Sequence, residues 1–240
     1  MSKKLLIFIP AYNESESIVR VVDNLITNYP QYDYIIGNDG SSDNTLKICE
    51  EHGYNVIDQP INLGLAGTFQ TGAKYALRHN YDALLQFDAD GQHRPEYIET
   101  MLKKLDEGYD IVIGSRFVNE KKDRSLRMLG SNMISFIIRL LTGFKINDPT
   151  SGMRIYSKRL LPILASNPNI TPEPDTIAYL MVNGAKTTEV QVKMDERTAG
   201  QSYLTISKSI SYMLTILVSI LILSWFRPRI KLEDEQWYQL

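Results

Sequence analysis

In this 240-residue chain, the stretch Phe87-Asp88-Ala89-Asp90-Gly91-Gln92-His93 holds the residue types that point most directly to chemistry. It follows an apolar run that reads as a buried strand. Two carboxylates two residues apart at a strand end can turn toward one point once the chain leaves extended geometry. Hard divalent cations take oxygen ligands of this kind and share their shell with substrate phosphates. In open α/β sheets, ligands gather beyond the carboxyl ends of the strands, where this stretch falls. Asp-x-Asp is short, however, and by itself describes a polar turn with solvated acids equally well. His93 reads as a structural neighbour of such a site rather than a ligand. Two more segments stand at strand ends, Pro10-Ala11-Tyr12-Asn13-Glu14 and Asn38-Asp39-Gly40-Ser41-Ser42-Asp43. Tyr12 could stack on a base, and Glu14 and Asp39 could accept hydrogen bonds from a base or ribose. Each is an ordinary strand-to-helix turn on its own; the three together at consecutive strand ends make a site.

The elements that must position these residues follow from patterning. Residues 5–9, 34–37, 55–57, 83–87 and 111–114 are short apolar runs without strict alternation, as expected of strands covered by helices on both faces. Helical patterns lie between them near residues 15–28, 43–52, 65–79 and 95–107. In the first, Ile18, Val21, Val22 and Leu25 are spaced for one helix face. Ser41-Ser42-Asp43 offers capping chemistry for the second. This alternation predicts an α/β fold with a mainly parallel sheet. In the second half, residues 124–142 read as a helix carrying basic residues, 147–152 as a turn cluster, 174–183 as a helix and 186–192 as a strand.

Residues 210–226 contain no charge and are rich in Leu and Ile. Seventeen residues is near the lower limit for a bilayer span. Basic residues stand on both sides (Arg197 and Lys208 before; Arg227, Arg229 and Lys231 after), whereas a simple span is expected to carry them on one side. The segment therefore reads as a span, as a helix lying in the membrane interface, or as a core helix of the globular domain. Ser211, Thr215 and Ser219 form a small-residue stripe suited to helix packing, which would allow a homo-oligomer.

The composition is 43% hydrophobic and 22% charged with a net charge of -2, which suits one domain of roughly 200 residues plus an appendage. The division expected is residues 1–205 as catalytic domain and 206–240 as membrane-associated segment. Nothing in the charge resembles a nucleic-acid footprint. A single cysteine, Cys49, precludes an intramolecular disulfide and reads as a core residue. The N-terminus runs straight into a strand without a secretory h-region, so the catalytic part is expected to stay where it is made.

Pro10–Glu14, Asn38–Asp43, Asn62-Leu63-Gly64-Leu65-Ala66-Gly67 and Asp88–His93 resemble, in order and spacing, the motifs of family 2 glycosyltransferases, over roughly residues 3–205. Within them the chain is most similar to the dolichol-phosphate-mannose synthase and polyprenyl-phosphate glycosyltransferase branch. The resemblance implies the glycosyltransferase A fold, which is Rossmann-like, an inverting mechanism and Mg²⁺ or Mn²⁺. It implies that Pro10, Ala11, Tyr12, Glu14, Asn38 and Asp39 line the nucleotide, that Asp88 and Ala89 contact the donor, and that Asp90 and Gln92 hold the metal. Relatives usually carry two acids where this chain has Asn38-Asp39, which leaves the nucleotide open. Arg116, Arg127 and Ser131 fall where the family places ligands of an acceptor phosphate, and Arg forks match phosphate oxygens. Asp148 and Ser151–Arg154 resemble another segment near the active site, though a plain turn with Arg154 in an ion pair fits equally. Arg197-Thr198-Ala199-Gly200-Gln201-Ser202 resembles a loop that closes over the donor diphosphate, with Tyr203 where relatives have Lys.

The expected partners are a nucleotide-sugar, a UDP-sugar favoured with GDP-mannose also open, and a polyprenyl or dolichyl phosphate at the cytoplasmic face of a membrane, in polysaccharide assembly. A phosphate nucleophile needs no general base; a sugar hydroxyl would, and Glu173 or Asp175 could serve it. Saccharide extension is therefore the nearest alternative. A nucleotidyltransferase and a non-catalytic nucleotide-sugar-binding membrane subunit stand further off.

Overall fold

The computed structural model describes residues 3–122, 125–196 and 206–223 together with Arg227, Arg229, Ile230 and Leu232; side chains of 126, 127, 206–210, 212, 222 and 223 fall outside the description. In chain order the elements are β1 (Leu5–Ala11), α1 (Ile18–Asn28), β2 (Asp33–Asn38), α2 (Thr45–Glu51), β3 (Val56–Asp58), α3 (Gly64–Arg78) and β4 (Ala83–Gln86). A 3-10 turn, Pro95–Tyr97, then leads into α4 (Ile98–Asp106), β5 (Ile111–Ser115) and α5 (Leu126–Thr142). The remainder is β6 (Arg154–Ser157), α6 (Leu161–Ser166), α7 (Pro174–Val182), β7 (Thr187–Gln191) and α8 (Ile206–Val218), which runs on into a π turn, Ser219–Leu223.

The seven strands are ordered β3-β2-β1-β4-β6-β5-β7. All neighbours run parallel except β6, which is antiparallel to both β4 and β5. β6 was not foreseen. Its four residues, Arg-Ile-Tyr-Ser, carry no alternation, and Arg154 would ordinarily argue against a central strand. The strand accepts the guanidinium because Arg154 donates to the carbonyls of Pro172 (2.8 Å) and Pro149 (2.9 Å). A buried charge is tolerable only when hydrogen-bonded.

The lack of polar alternation in β1 has the expected cause. Leu6 and Phe8 pack into one apolar cluster with α3, α6 and α7, while Leu5, Ile7 and Ile9 pack into the other with α1 and α4. Successive side chains leave opposite faces of a strand, and both faces are covered. α1 begins at Ile18, three residues later than periodicity suggests. Glu14 draws the preceding residues into a turn, its carbonyl accepting the Ser17 amide at 3.1 Å and its carboxylate the Ser17 hydroxyl at 2.7 Å. α5 starts where Ser125 accepts the Met128 amide and stops at Gly143, whose φ of 77° a side chain would disfavour.

The apolar C-terminal segment is neither wholly core nor wholly free. Ile216, Leu217 and Ile220 are buried in the cluster that contains Ile134 and Ile138 of α5 and Ile177 of α7. Leu214, Val218 and Leu221 are exposed. α8 thus packs against α5 and α7, elements that precede it in the chain. Among the described residues no helix is long and apolar enough to cross a membrane.

Candidate active site

A cavity of about 380 Å³ opens at the carboxyl ends of β1, β2 and β4. Pro10, Ala11, Tyr12, Glu14, Asp39, Asp88, Ala89 and Asp90 all line it, joined by Asn62, Gly64, Leu65 and Thr68 from the loop before α3 and its first turns. Tyr12 is 38% exposed, leaving a ring face for stacking. Asp39 is fixed from both sides: its amide donates to the Ala11 carbonyl (2.9 Å), and its carboxylate accepts the Leu63 amide (2.7 Å). Asn13 and Asp43 tie the β1 and β2 loops together, Asn13 Oδ1 accepting the Ser42 amide at 2.8 Å.

Asn38 departs from expectation. It does not line the cavity; its Nδ2 donates to Asp58 Oδ1 at 2.7 Å, across the β2–β3 pair. Register sets Asn38 opposite Asp58, so the two side chains share one face of the sheet and pair there. Asp58, at the end of β3, is the second acid of this corner, and nothing in a three-residue strand marked it beforehand.

The Asp88–His93 loop is built tightly. The Asp88 amide donates to His93 Nδ1 (2.9 Å), which leaves the His93 proton on Nε2, 3.5 Å from Asp88 Oδ2. The Gln92 amide donates to Asp90 Oδ1 (3.0 Å), and Gly91 makes the turn with a φ of 77°. Gln92 is also stitched to the segment after β7: its carbonyl accepts the Asp195 amide at 2.9 Å, and its Nε2 donates to the Asp195 carbonyl at 3.3 Å. Arg94 Nε donates to the Asp195 carboxylate at 2.8 Å. His93 is thus the structural neighbour expected, steadying Asp88. Gly152 presses on Asp88 from the far side, where an added Cβ would sit 2.5 Å from Asp88 Oδ2.

Asp88 and Asp90 line one cavity; Gln92, expected as a metal ligand beside Asp90, does not line it, and its side-chain amide is turned to the Asp195 carbonyl. Among the described residues no cluster of three or more His, Cys, Asp or Glu could cage an ion. The donor set therefore fits a hard cation that completes its shell with phosphate oxygens and water, and does not fit an all-protein site.

On the opposite flank, β5 delivers Arg116 into a rigid bracket. Its amide and Nε donate to Asp148 Oδ2 (3.1 and 2.7 Å), and Nη2 donates to Oδ1 (2.9 Å). Asp148 is fully buried, and its own amide donates to Glu189 of β7 (2.7 Å). Arg116 thus meets a carboxylate bidentately, and its charge is already balanced. Ser131 lies in α5 with its side chain fully buried, and its hydroxyl accepts from Lys122 Nζ at 2.8 Å. Burial pushes the Lys122 ammonium below its usual pKa. A pocket of about 540 Å³ beside it is lined by Lys121, Lys122 and Lys145. Lys122 was missed because its loop has no periodicity. A basic pair, Lys121-Lys122, was the one available signal, and a basic pair usually marks a solvated surface. Arg127 lies in α5 with its side chain outside the description, and Arg197 lies outside the described residues altogether.

Glu173 and Asp175 stand at the start of α7. The Asp175 carboxylate accepts from Ser219 (2.7 Å) and Arg227 (2.9 Å), so it holds the C-terminal segment to the domain.

The glycosyl transferase family 2 model matches residues 6–162, and the chain belongs to that family. Its seven-stranded sheet is the mixed, mostly parallel sheet of the glycosyltransferase A fold. The chain is 36% identical over 187 residues to the UDP-N-acetylglucosamine–dolichyl-phosphate N-acetylglucosaminyltransferase of Methanococcus voltae, covering 69% of this chain and 74% of that protein. It is 29% identical over 214 residues to the polyprenol monophosphomannose synthase of Mycolicibacterium smegmatis, covering 84% and 81% respectively. In fold it is similar to glucosyl-3-phosphoglycerate synthase from Mycobacterium tuberculosis, solved with Mn²⁺, uridine diphosphate and phosphoglyceric acid. That match has a TM-score of 0.66 and 16% identity, over 91% of this chain and 78% of that one.

Proposed function

We propose that the chain transfers a sugar from a nucleoside diphosphate, UDP in preference to GDP, to a polyprenyl phosphate, with inversion at the anomeric carbon. One observation carries this reading. Residues 148–152 link the two flanks: Asp148 grips Arg116, and Gly152 abuts the carboxylate of Asp88. Four residue steps span at most about 14 Å, so an acid-bearing cavity and a basic pocket share one edge of the sheet. The names of the relatives, several acting on dolichyl, polyprenol or undecaprenyl phosphates, support the lipid acceptor.

The mechanism follows from the residues. Tyr12, Glu14 and Asp39 bind base and ribose. Asp90 and Gln92 would hold Mg²⁺ or Mn²⁺, which when bound screens charge on the leaving diphosphate. Lys122 with Ser131 presents the acceptor phosphate, Arg127 is assigned to it as well, and Arg116 braces that flank through Asp148. One of the phosphate's oxygens forms the new bond to the anomeric carbon as the bond to the diphosphate breaks, and the electron pair leaves with the nucleoside diphosphate. A phosphate monoester is ionised near pH 7, so no side chain need remove a proton and positioning is the main task. The hydroxyl-acceptor alternative has less support, because Asp175, one of its two candidate bases, is engaged by Ser219 and Arg227. Arg197 is assigned to the diphosphate. Placement at the cytoplasmic face of a membrane, and division into residues 1–205 and 206–240, belong to the same proposal.

The test is transfer from radiolabelled UDP- and GDP-sugars to a short-chain polyprenyl phosphate with Mn²⁺. A lipid-soluble product that is lost on adding chelator is expected. Transfer to a saccharide hydroxyl instead, or nucleotide-sugar synthesis with pyrophosphate, would overturn the reading.

A further inference from the structure

The loop that carries the acids has two sides. Asp88, Ala89 and Asp90 line the donor cavity. Gly91, His93 and Arg94 line a separate cavity of about 330 Å³ behind it, together with Arg20 of α1 and Asp195. A loop with open space on both sides has little packing to steady it, so its polar contacts decide where the acids stand.

Two devices act on the rear side. Arg20 lies directly beneath the turn: a Cβ on Gly91 would sit 2.0 Å from Arg20 Nη2. Arg94 reaches a partner 101 residues away, its Nε donating to Asp195 Oδ1 at 2.8 Å and its Nη2 to the same oxygen. The Asp195 backbone in turn meets Gln92, its carbonyl accepting Nε2 and its amide donating to the Gln92 carbonyl. The Gln92 amide then donates to Asp90 Oδ1. One chain of contacts therefore runs from the rear cavity to the front, Arg94 to Asp195 to Gln92 to Asp90. A carboxamide has a donor end and an acceptor end. With Nε2 given to the Asp195 carbonyl, Oε1 is the end left to ligate. Side chains that ligate metals are ordinarily oriented by a partner behind them.

We infer that Arg94 and Asp195 are positioning residues for the cation site proposed at Asp90 and Gln92: Asp195 takes up the donor end of the Gln92 amide and leaves its oxygen for the ion, and Arg94 holds Asp195 in place. Neither residue lines the donor cavity, so both act through Gln92. This deepens the reading given above and rests on its cation.

The sign of the effect separates positioning from plain charge. Removing Asp195 takes away a negative charge, which weakens cation binding by Coulomb attraction alone; removing Arg94 takes away a positive one, which by itself strengthens it. Loss of the latch weakens binding in both. Glu96, 3.7 Å from Arg94 Nη1 at the far end of the guanidinium, is the control acid.

The experiment is titration of the UDP-loaded full chain with Mn²⁺, followed by electron paramagnetic resonance of the free ion. Arg94→Ala and Asp195→Ala should each raise the Mn²⁺ Kd about fivefold, the upper range for a partly exposed ion pair. The double variant should be no weaker than either single one, because the two act in series. Glu96→Ala should stay within about twofold, and the reversed pair Arg94→Asp/Asp195→Arg should recover most of the affinity. Melting temperatures should stay within about two degrees. In transfer assays at limiting Mn²⁺, KM for the nucleotide-sugar should rise in step, while KM for the lipid phosphate and kcat at saturating Mn²⁺ hold. Tighter Mn²⁺ binding by Arg94→Ala, additive losses in the double variant, or unchanged binding in both single variants overturns the inference and leaves the cation site standing. So does a melting temperature that falls in proportion to affinity, which would assign the pair to fold stability. Absence of Mn²⁺ binding by the UDP-loaded wild type sinks the cation site itself, and this inference with it.

Discussion

The two flanks of the site solve opposite electrostatic problems. On the β1–β2–β4 flank, Asp88 and Asp90 point into an open cavity and are steadied mainly by amides and an imidazole. On the β5–β7 flank, Arg116 is matched to Asp148, and Glu189 occupies the amides of Asn147 and Asp148. The first flank lines its cavity with acids, the residue type that suits a ligand bringing a cation. The second cancels its most conspicuous arginine internally and leaves Lys122, half-buried beside a serine hydroxyl, among the lysines that line the pocket. An arginine's presence at a strand end therefore does not establish that its charge faces a substrate.

The sharpest way to break this comparison is at Asp90. Asp90→Asn removes charge from the donor flank with little change in shape, and transfer should drop by about a thousandfold, the scale seen when one group stabilising developing charge is lost. The melting temperature should stay within a few degrees. Product formation within tenfold of wild type would mean that the acids are an ordinary polar turn.

Asp148→Asn probes the other flank and should act on stability first. Removing one partner of a buried bidentate pair leaves the other charge unmatched and costs about 3 kcal/mol. Urea denaturation measures it. A loss below about 1 kcal/mol would place the pair in the class of weak surface bridges and return Arg116 to the substrate.

Much of the donor flank was legible in the sequence, because its chemistry is local. Pro10–Glu14 and Asp88–Asp90 are contiguous, follow apolar strands, and must face the sheet's carboxyl edge whatever the rest does. The acceptor flank was less legible because its contacts are distant in sequence: Arg116 with Asp148, Asp148 with Glu189. β6 was missed for the same reason. A four-residue strand with a buried arginine is stable only after Pro149 and Pro172 have placed their carbonyls. The apolar run at 210–226 was legible as apolar, but periodicity alone could not divide it into a row facing α5 and α7 and a row facing outward.

Lys122→Met sharpens the comparison at the level of a single charge. A charged hydrogen-bonding partner is worth roughly 1.5–3 kcal/mol, so KM for the lipid phosphate should rise by about thirtyfold while KM for the nucleotide-sugar holds. Lys122→Arg should recover part of the loss. Because burial lowers the Lys122 pKa, wild-type acceptor affinity should begin to fall with rising pH earlier than an exposed lysine would dictate, and the Met variant should lack that limb. Equal changes in both KM values would mean that the loop acts on the whole site and not on the acceptor.

The smallest effect uses Cys49 as a reporter of the donor flank alone. It is fully buried on α2, packed in the cluster that contains β1 and α1, and burial pushes its thiol up to about 11. At pH 8 the thiolate fraction is then on the order of one in a thousand, so native labelling by a disulfide reagent must proceed through opening of this half, whereas the chain in guanidinium should label at once. A UDP-sugar with Mn²⁺ at ten times its Kd should slow native labelling by about tenfold, since a ligand that binds only the closed form suppresses opening in proportion to its occupancy. A short-chain polyprenyl phosphate without donor should leave the rate unchanged, because its contacts lie on β5 and α5. Equal protection by both ligands would mean that the flanks open as one body, and the division drawn between them would have to be abandoned.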